Sequence, residues 1–391
     1  MSLQSINPAN NQTINFYPLD IEEQVAQKIS QTHQAWESWK ETDFKERSAL
    51  MLNAGNVLRK RKDELAHLMA LEMGKPLKQG VAEIEKCASV CDYYAENAEN
   101  FLQNELVKTD ASQSYISFQP LGVVLAVMPW NFPFWQVFRF LAPALMAGNC
   151  GVLKHASNVP GCALAIEDII KEAGFPPYVF QTLLIESSAV GRVIENPFIK
   201  AVTLTGSIPA GQKVAQKAAS LLKKTVLELG GSDAYLILED ADLELAAETC
   251  VNSRLVNSGQ SCIAAKRFIV LKEIEEDFIR LFKEKMGAKI MGDPLDEKTQ
   301  IGPQARIDLR DQLHDQVLKS IKQGAKCILG GEIPEGNHAF YPPTILTNVK
   351  KGMPAYEEEL FGPVASIISA EDEKEAIFIA NDTVFGLGAA V

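Results

Sequence analysis

The stretch Leu121-Gly122-Val123-Val124-Leu125-Ala126-Val127-Met128 constrains the fold more than any other part of the chain. A continuous apolar run reads as a strand covered on both faces, and such strands belong to parallel sheets flanked by helices. The segments that follow keep to that plan. The spacing predicts a helix over about 134–146, a strand over 151–154, a helix over about 159–173 closed by Gly174, and a strand near 178–185. A short helix, a strand over 201–205 and a helix reaching Lys223 come next. This alternation argues a doubly wound α/β domain. After Gly230-Gly231 a second series opens with a strand over 235–238, a helix from about Leu243 and a strand over 267–271. The expectation is therefore two α/β domains dividing near residue 230.

Upstream, the first hundred residues read as helices. Val25, Ile29, Trp36 and Trp39 share one helical face, and Asp43 with Glu46 reads as a capping box that opens a long helix ending at Gly74 and Pro76. A third helix, over about 81–102, carries Ile84, Cys87, Cys91 and Tyr94 on one side, which assigns the two cysteines to core packing. Ser114 to Gln119 alternates as a strand does.

Composition narrows the function classes. With 47% hydrophobic and 23% charged residues, disorder and low complexity are excluded. Asp and Glu outnumber Lys and Arg by 50 to 38, a net charge of −12, which argues against a nucleic-acid or anionic-membrane surface. The densest basic run, Arg59-Lys60-Arg61-Lys62, precedes Asp63 and Glu64 and reads as a solvated helix face. Seven scattered cysteines without a CxxC pair suit neither a disulfide framework nor a zinc site, and no metal is expected. Met1 to Asn11 lacks a targeting pattern and no apolar stretch reaches spanning length, so the expected location is the cytoplasm.

Ligands of an open parallel sheet bind outside the carboxyl ends of its strands. After the first strand comes Pro129-Trp130-Asn131-Phe132-Pro133, where Asn131 is either a neutral oxyanion donor or a turn residue. After the second, Lys154 and Ser157 offer a cation and a hydroxyl suited to a ribose or a phosphate. Gly206-Ser207-Ile208-Pro209-Ala210-Gly211 opens a helix whose amino terminus and two glycines could receive a pyrophosphate, although it is neither GxGxxG nor a Walker loop. Glu228 ends the apolar strand Thr225-Val226-Leu227, and burial there would make it a general base; the bland alternative is a structural Glu at an interdomain turn. Cys262 closes the small-residue loop Asn257-Ser258-Gly259-Gln260-Ser261-Cys262, a setting in which a thiolate is easier to stabilise than in a core.

Together these segments resemble the NAD(P)-dependent aldehyde dehydrogenase superfamily over essentially the whole chain. Pro129 to Pro133, Glu228 to Gly231, Gly259 to Cys262 and Glu359-Leu360-Phe361-Gly362-Pro363 stand in that family's order and spacing. Within it the chain looks most like the shorter succinate-semialdehyde dehydrogenases. The resemblance implies an aldehyde dehydrogenase-like fold with a Rossmann-like cofactor domain (1–110 and 121–230), an oligomerisation strand (111–120) and a catalytic domain (231–391). It implies Cys262 as nucleophile, Asn131 and the Cys262 N–H as oxyanion donors, and Glu228 as the base for hydrolysis of a thioester. Cofactor residues would be Trp130, Lys154, Ser157, Gly206, Ser207, Gly211, Leu229, Glu359 and Phe361. Ser157 stands where many NAD-preferring members carry Glu, so NADP is expected to serve at least as well as NAD.

Arg139, on the helix after Asn131, matches an arginine that semialdehyde enzymes use for the substrate carboxylate. A second such arginine falls at Val256 here, with Arg254 two residues earlier, and the lysine many members carry after the Arg139 position is Phe140. The alternatives are a dehydrogenase of other small aldehydes or semialdehydes, such as glutaric semialdehyde, or a non-catalytic form of the fold. The expected partners are a small aldehyde and further copies of the chain, as a homodimer or homotetramer. Against the family the apolar end Phe385 to Val391 reads as an internal segment, so the catalytic domain is expected to be incomplete and the 114–119 strand to lack its neighbour.

Overall fold

A computed structural model describes residues 2–391, which form two compact units. The first holds residues up to Ile6, Thr13–Glu72 and Lys78–Glu228; the second holds Asn7–Gln12, Met73–Leu77 and Leu229–Val391.

The chain opens with strands, where helices were expected. β1 (Ser2–Asn7) and β2 (Gln12–Pro18) form a hairpin. Leu3 and Ser5 are buried while their neighbours are not, a period of two, and an Asn-rich turn with Asn11 at φ 57° reverses the chain. Three helices follow: α1 (Glu22–Trp39), α2 (Phe44–Met73) and α3 (Leu77–Phe101). The Asp43 carboxylate accepts the Glu46 N–H at 2.8 Å, which caps α2. The basic run on α2 is tied down by acids: Arg59 pairs with Asp92, Lys60 with Glu172, Arg61 with Glu64 and Lys62 with Glu85. Cys87 and Cys91 are fully buried in α3.

The expected 114–119 strand is shorter than its alternation suggested. β3 (Glu105–Leu106) pairs antiparallel with β4 (Tyr115–Ile116), and all four residues are exposed. With no covered face, nothing extends the ladder.

The sheet of the first unit comprises β5 (Val123–Met128), β6 (Cys150–His155), β7 (Phe180–Thr182), β8 (Ile199–Thr205) and β9 (Lys224–Glu228). Its order is β7-β6-β5-β8-β9 and every pair is parallel. α4 (Trp135–Met146), α5 (Pro160–Glu172), α6 (Val190–Glu195) and α7 (Ile208–Ala219) connect the strands. The order reverses between β5 and β8, which marks the crevice where such sheets take ligands.

The second unit contains β10 (Asp233–Ile237), α8 (Leu243–Leu255), β11 (Ala265–Leu271), α9 (Glu275–Gly287), α10 (Ile307–Lys322), β12 (Lys326–Leu329), β13 (Thr344–Thr347), α11 (Pro354–Glu357), β14 (Val364–Ala370), α12 (Glu373–Asn381) and β15 (Ala389–Ala390). Its sheet runs β12-β13-β14-β11-β10-β15, with only the β12–β13 pair antiparallel. Both faces are covered. Phe268 and Val270 of β11 pack with Val251, Phe278 and Phe282 of α8 and α9, whereas Ile269 between them packs with Leu313, Val317 and Ile379 of α10 and α12. That explains the unbroken apolar runs in these strands.

No helix among the described residues is long and apolar enough to cross a membrane.

Candidate active site

In the first unit, five predicted residues lie at the carboxyl ends of the parallel strands. Asn131 follows β5 and is buried; Lys154 is the fifth residue of β6 and is buried; Ser157, two residues past β6, is exposed. Ser207 immediately precedes α7 after β8, and Glu228 ends β9.

The turn carrying Asn131 is pinned from two sides. Glu83 of α3, itself buried, accepts the N–H groups of Phe134 and Trp135 at 2.9 Å each, which satisfies the first turn of α4. His155 Nε2 donates to the Pro133 carbonyl at 2.9 Å while its Nδ1 accepts the Ala156 N–H at 2.8 Å. Burial pushes the His155 pKa down to about 4, so this ring holds the turn as a neutral imidazole. Neither Glu83 nor His155 carries a motif, and sequence reasoning missed both.

Glu228 departs from expectation. Its side chain is 43% exposed, so burial does not prepare it as a base. It has a cation beside it instead. Arg139, on α4, places Nη2 3.5 Å from Glu228 Oε2 and donates to Thr205 Oγ1 at 3.2 Å. The guanidinium, expected on the helix after Asn131, thus faces the strand ends.

Lys154, Ser207 and Gly206 can be tested as holders of a phosphate-bearing cofactor. Burial holds the Lys154 pKa below its ordinary value, and Nζ donates to Ser187 Oγ at 3.2 Å, a second hydroxyl that the motifs did not reveal. The Ser207 side chain makes no capping bond to α7. A Cβ on Gly206 would meet only Leu204 Cδ2, at 3.7 Å, so the main chain there is open to an approaching ligand. Gly211 is buried within α7 and Trp130 is half-buried. An open main chain at a helix amino terminus, with a cation at the same carboxyl end of the sheet, fits a dinucleotide.

In the second unit, Cys262 follows a strained turn. Asn257 (φ 53°), Ser258 (φ 55°) and Gly259 (φ 78°) are consecutive left-handed residues, and all three are buried. Such residues persist only where their surroundings hold them. The Gly302 N–H donates to Ser258 Oγ at 2.9 Å, the Ala305 N–H donates to Gln260 Oε1 at 2.8 Å, and Arg254 donates to the Gly259 carbonyl. A Cβ on Gly259 would lie 2.2 Å from Gly362, so only glycine fits. Cys262 itself is half-buried and forms no disulfide. Gly231 packs close behind it: a Cβ there would stand 2.7 Å from the Cys262 carbonyl oxygen.

Arg254 lies wholly beneath this turn, with Nε and Nη1 unpartnered, and burial pushes its pKa down to about 9. It therefore cannot reach a substrate carboxylate. Val256, the position of the family's second arginine, is 39% exposed. Glu359 accepts the Gly231 N–H at 3.2 Å, and burial raises its pKa. Leu229 and Phe361 are both half-buried.

The aldehyde dehydrogenase family model matches residues 1–391. The chain belongs to the aldehyde dehydrogenase family. A Synechocystis protein named probable succinate-semialdehyde dehydrogenase [NADP(+)] is 50% identical over 390 residues, covering 100% of this chain and 86% of that protein. The Mycobacterium avium succinate-semialdehyde dehydrogenase [NADP(+)] is 48% identical, covering 99% and 83%. The crystal structure of a Streptococcus pyogenes succinic semialdehyde dehydrogenase with NADP+ superposes with a TM-score of 0.97 at 37% identity, covering 99% of this chain and 85% of that one. The fold of this aldehyde dehydrogenase and its two mostly parallel sheets agree with that membership.

Proposed function

We propose that this aldehyde dehydrogenase oxidises succinic semialdehyde to succinate with NADP as the preferred acceptor. Arg139 carries the reading: a guanidinium stands at the strand ends beside Glu228, where the far carboxylate of a semialdehyde would find a planar, bidentate donor. The names of the similar proteins support it.

The chemistry is divided among the chain's own groups. The Cys262 thiolate attacks the aldehyde carbon, and the oxyanion is held by the Asn131 amide and the Cys262 N–H. A nicotinamide cofactor, when held by this chain, would supply the hydride acceptor that takes this adduct to the thioester level. The thioester left on Cys262 is then hydrolysed by a water whose proton Glu228 takes, releasing the acid and the free thiol. One aldehyde, one oxidised cofactor and one water give one carboxylic acid, one reduced cofactor and one proton. Lys154, Ser157, Gly206, Ser207 and Gly211 would hold the phosphates and adenosine ribose, with Trp130 and Leu229 lining the cofactor pocket. Glu359 would hold the other ribose, and Phe361 would lie on the nicotinamide side.

The test is reduced-cofactor formation with succinic semialdehyde, glutaric semialdehyde and acetaldehyde, using Cys262→Ala as the blank. Succinic semialdehyde is expected to give the highest kcat/KM; a higher value for acetaldehyde would remove the substrate assignment. For the cofactor, Ser157→Glu is expected to lower kcat/KM for NADP by about 10- to 100-fold, because a carboxylate there repels the 2′-phosphate and accepts the 2′-hydroxyl of NAD. Unchanged ratios of kcat/KM for the two cofactors would exclude position 157 from that subsite.

The cytoplasm is the proposed location. Assembly through the β3–β4 hairpin is proposed as well, since Leu106, Tyr115 and Ile116 expose apolar surface there that a second copy would cover.

A further inference from the structure

Lys266 is the second residue of β11 and its side chain is 1% exposed. All three of its N–H donors go to the turn that carries the nucleophile: the carbonyls of Ser261 at 2.9 Å, Cys262 at 2.8 Å and Ala264 at 3.1 Å. Nζ also stands 3.6 Å from Glu359 Oε1. Burying an ammonium is costly, and a neutral amide could donate to main-chain carbonyls without that cost. Here the burial is deep enough to push the Lys266 pKa down to about 8, with Arg254 lowering it further and Glu359, Asp233 and Cys262 opposing. A charge kept at such expense, directly behind Cys262, calls for more than closing a turn.

We propose that Lys266 is a positioning residue for Cys262, fixing the main chain of the nucleophile turn and supplying the positive charge that favours the thiolate. Through Glu359 the same ammonium links that turn to the carboxylate assigned to the cofactor ribose. Arg254 holds the turn at Gly259, on its amino side, and Lys266 holds it at Ser261 to Ala264, so two buried cations bracket the nucleophile. Asp233 and Glu359 are the acids that balance them. The inference rests on Cys262 being the nucleophile, and the experiment separates the two.

Lys266→Gln keeps donors for the carbonyls without the charge, and Lys266→Met removes both in a similar volume. The pH dependence of Cys262 alkylation by iodoacetamide is measured for each, with Cys262→Ala as the background, beside kcat and KM. In both variants the alkylation midpoint is expected to rise by about one pH unit, the size an adjacent charge produces. kcat is expected to fall about tenfold at neutral pH while the aldehyde KM stays near that of the unmodified protein. A folded Lys266→Gln protein with an unaltered alkylation profile overturns the proposal. Failure of both variants to fold, judged by circular dichroism at 10 °C, also overturns it, because Lys266 would then serve the scaffold alone. If Cys262→Ala retains full activity, the nucleophile assignment fails instead, whatever the Lys266 variants do.

Discussion

Replacing Glu228 by Gln is expected to turn steady production of reduced cofactor into a single burst. Attack by Cys262 and loss of hydride need no base at position 228, so one equivalent of reduced cofactor per site should still appear rapidly. Hydrolysis of the thioester does need one, because water must lose a proton as it adds. Gln preserves the shape and leaves an oxygen for Arg139 Nη2, now 3.5 Å from the carboxylate, but it cannot accept that proton. A positioned general base contributes about 10²- to 10⁴-fold, so the steady rate should fall by that amount while the burst amplitude stays near one. Hydroxylamine, which attacks a thioester without assistance, should restore turnover. Stopped-flow absorbance at the reduced nicotinamide band reads all three quantities. If burst and steady rate fall together, Glu228 acts before the thioester and the assigned role is wrong.

That prediction depends on geometry the sequence carried only in part. The parallel sheets were legible because a strand covered on both faces must be apolar throughout, and Leu121 to Met128 meets that condition in plain view. The placement of Asn131, Lys154, Ser207 and Glu228 at strand ends follows from the same pattern. The opening hairpin was not legible. Its strands bury only alternate residues, Leu3 and Ser5 in β1, and β2 buries none, so no apolar period distinguishes them from a loop. The burial expected of Glu228 failed for a related reason. β9 is an edge strand of its sheet and none of its five residues is fully buried, so the carboxylate that ends it keeps 43% of its side-chain surface.

The supporting residues were invisible for a different reason. Glu83 lies far in sequence from the α4 turn it caps, and the His155 and Lys266 side chains act on main-chain atoms, which any residue type provides. Such contacts leave no motif. The strain at Asn257 and Ser258 is similarly silent, since Asn-Ser-Gly reads equally well as an ordinary turn. The motif residues stand at the strand ends and in the Cys262 turn, while the residues that hold those turns in place appear only in three dimensions.

Arg139→Ala should separate recognition from catalysis. The guanidinium offers Nη2 to Thr205 and Glu228, which leaves its other edge for a carboxylate arriving with the substrate. Hydrogen bonds to a charged group contribute about 1.5–3 kcal/mol, so KM for succinic semialdehyde should rise about ten- to a hundredfold. An uncharged aldehyde of similar length loses nothing at that edge, and its KM should change little. Both substrates, however, lose the cation beside Glu228, so both should show the same lower kcat if hydrolysis limits turnover. Arg139→Lys keeps the charge without the planar fork and should fall between the two. Steady-state kinetics on the pair of substrates gives two independent readings. A KM that rises equally for charged and uncharged aldehydes removes the carboxylate from the substrate assignment. A kcat that falls for the semialdehyde alone removes Arg139 from the neighbourhood of the base, because a group that orients Glu228 must be felt by every acyl chain that Glu228 releases.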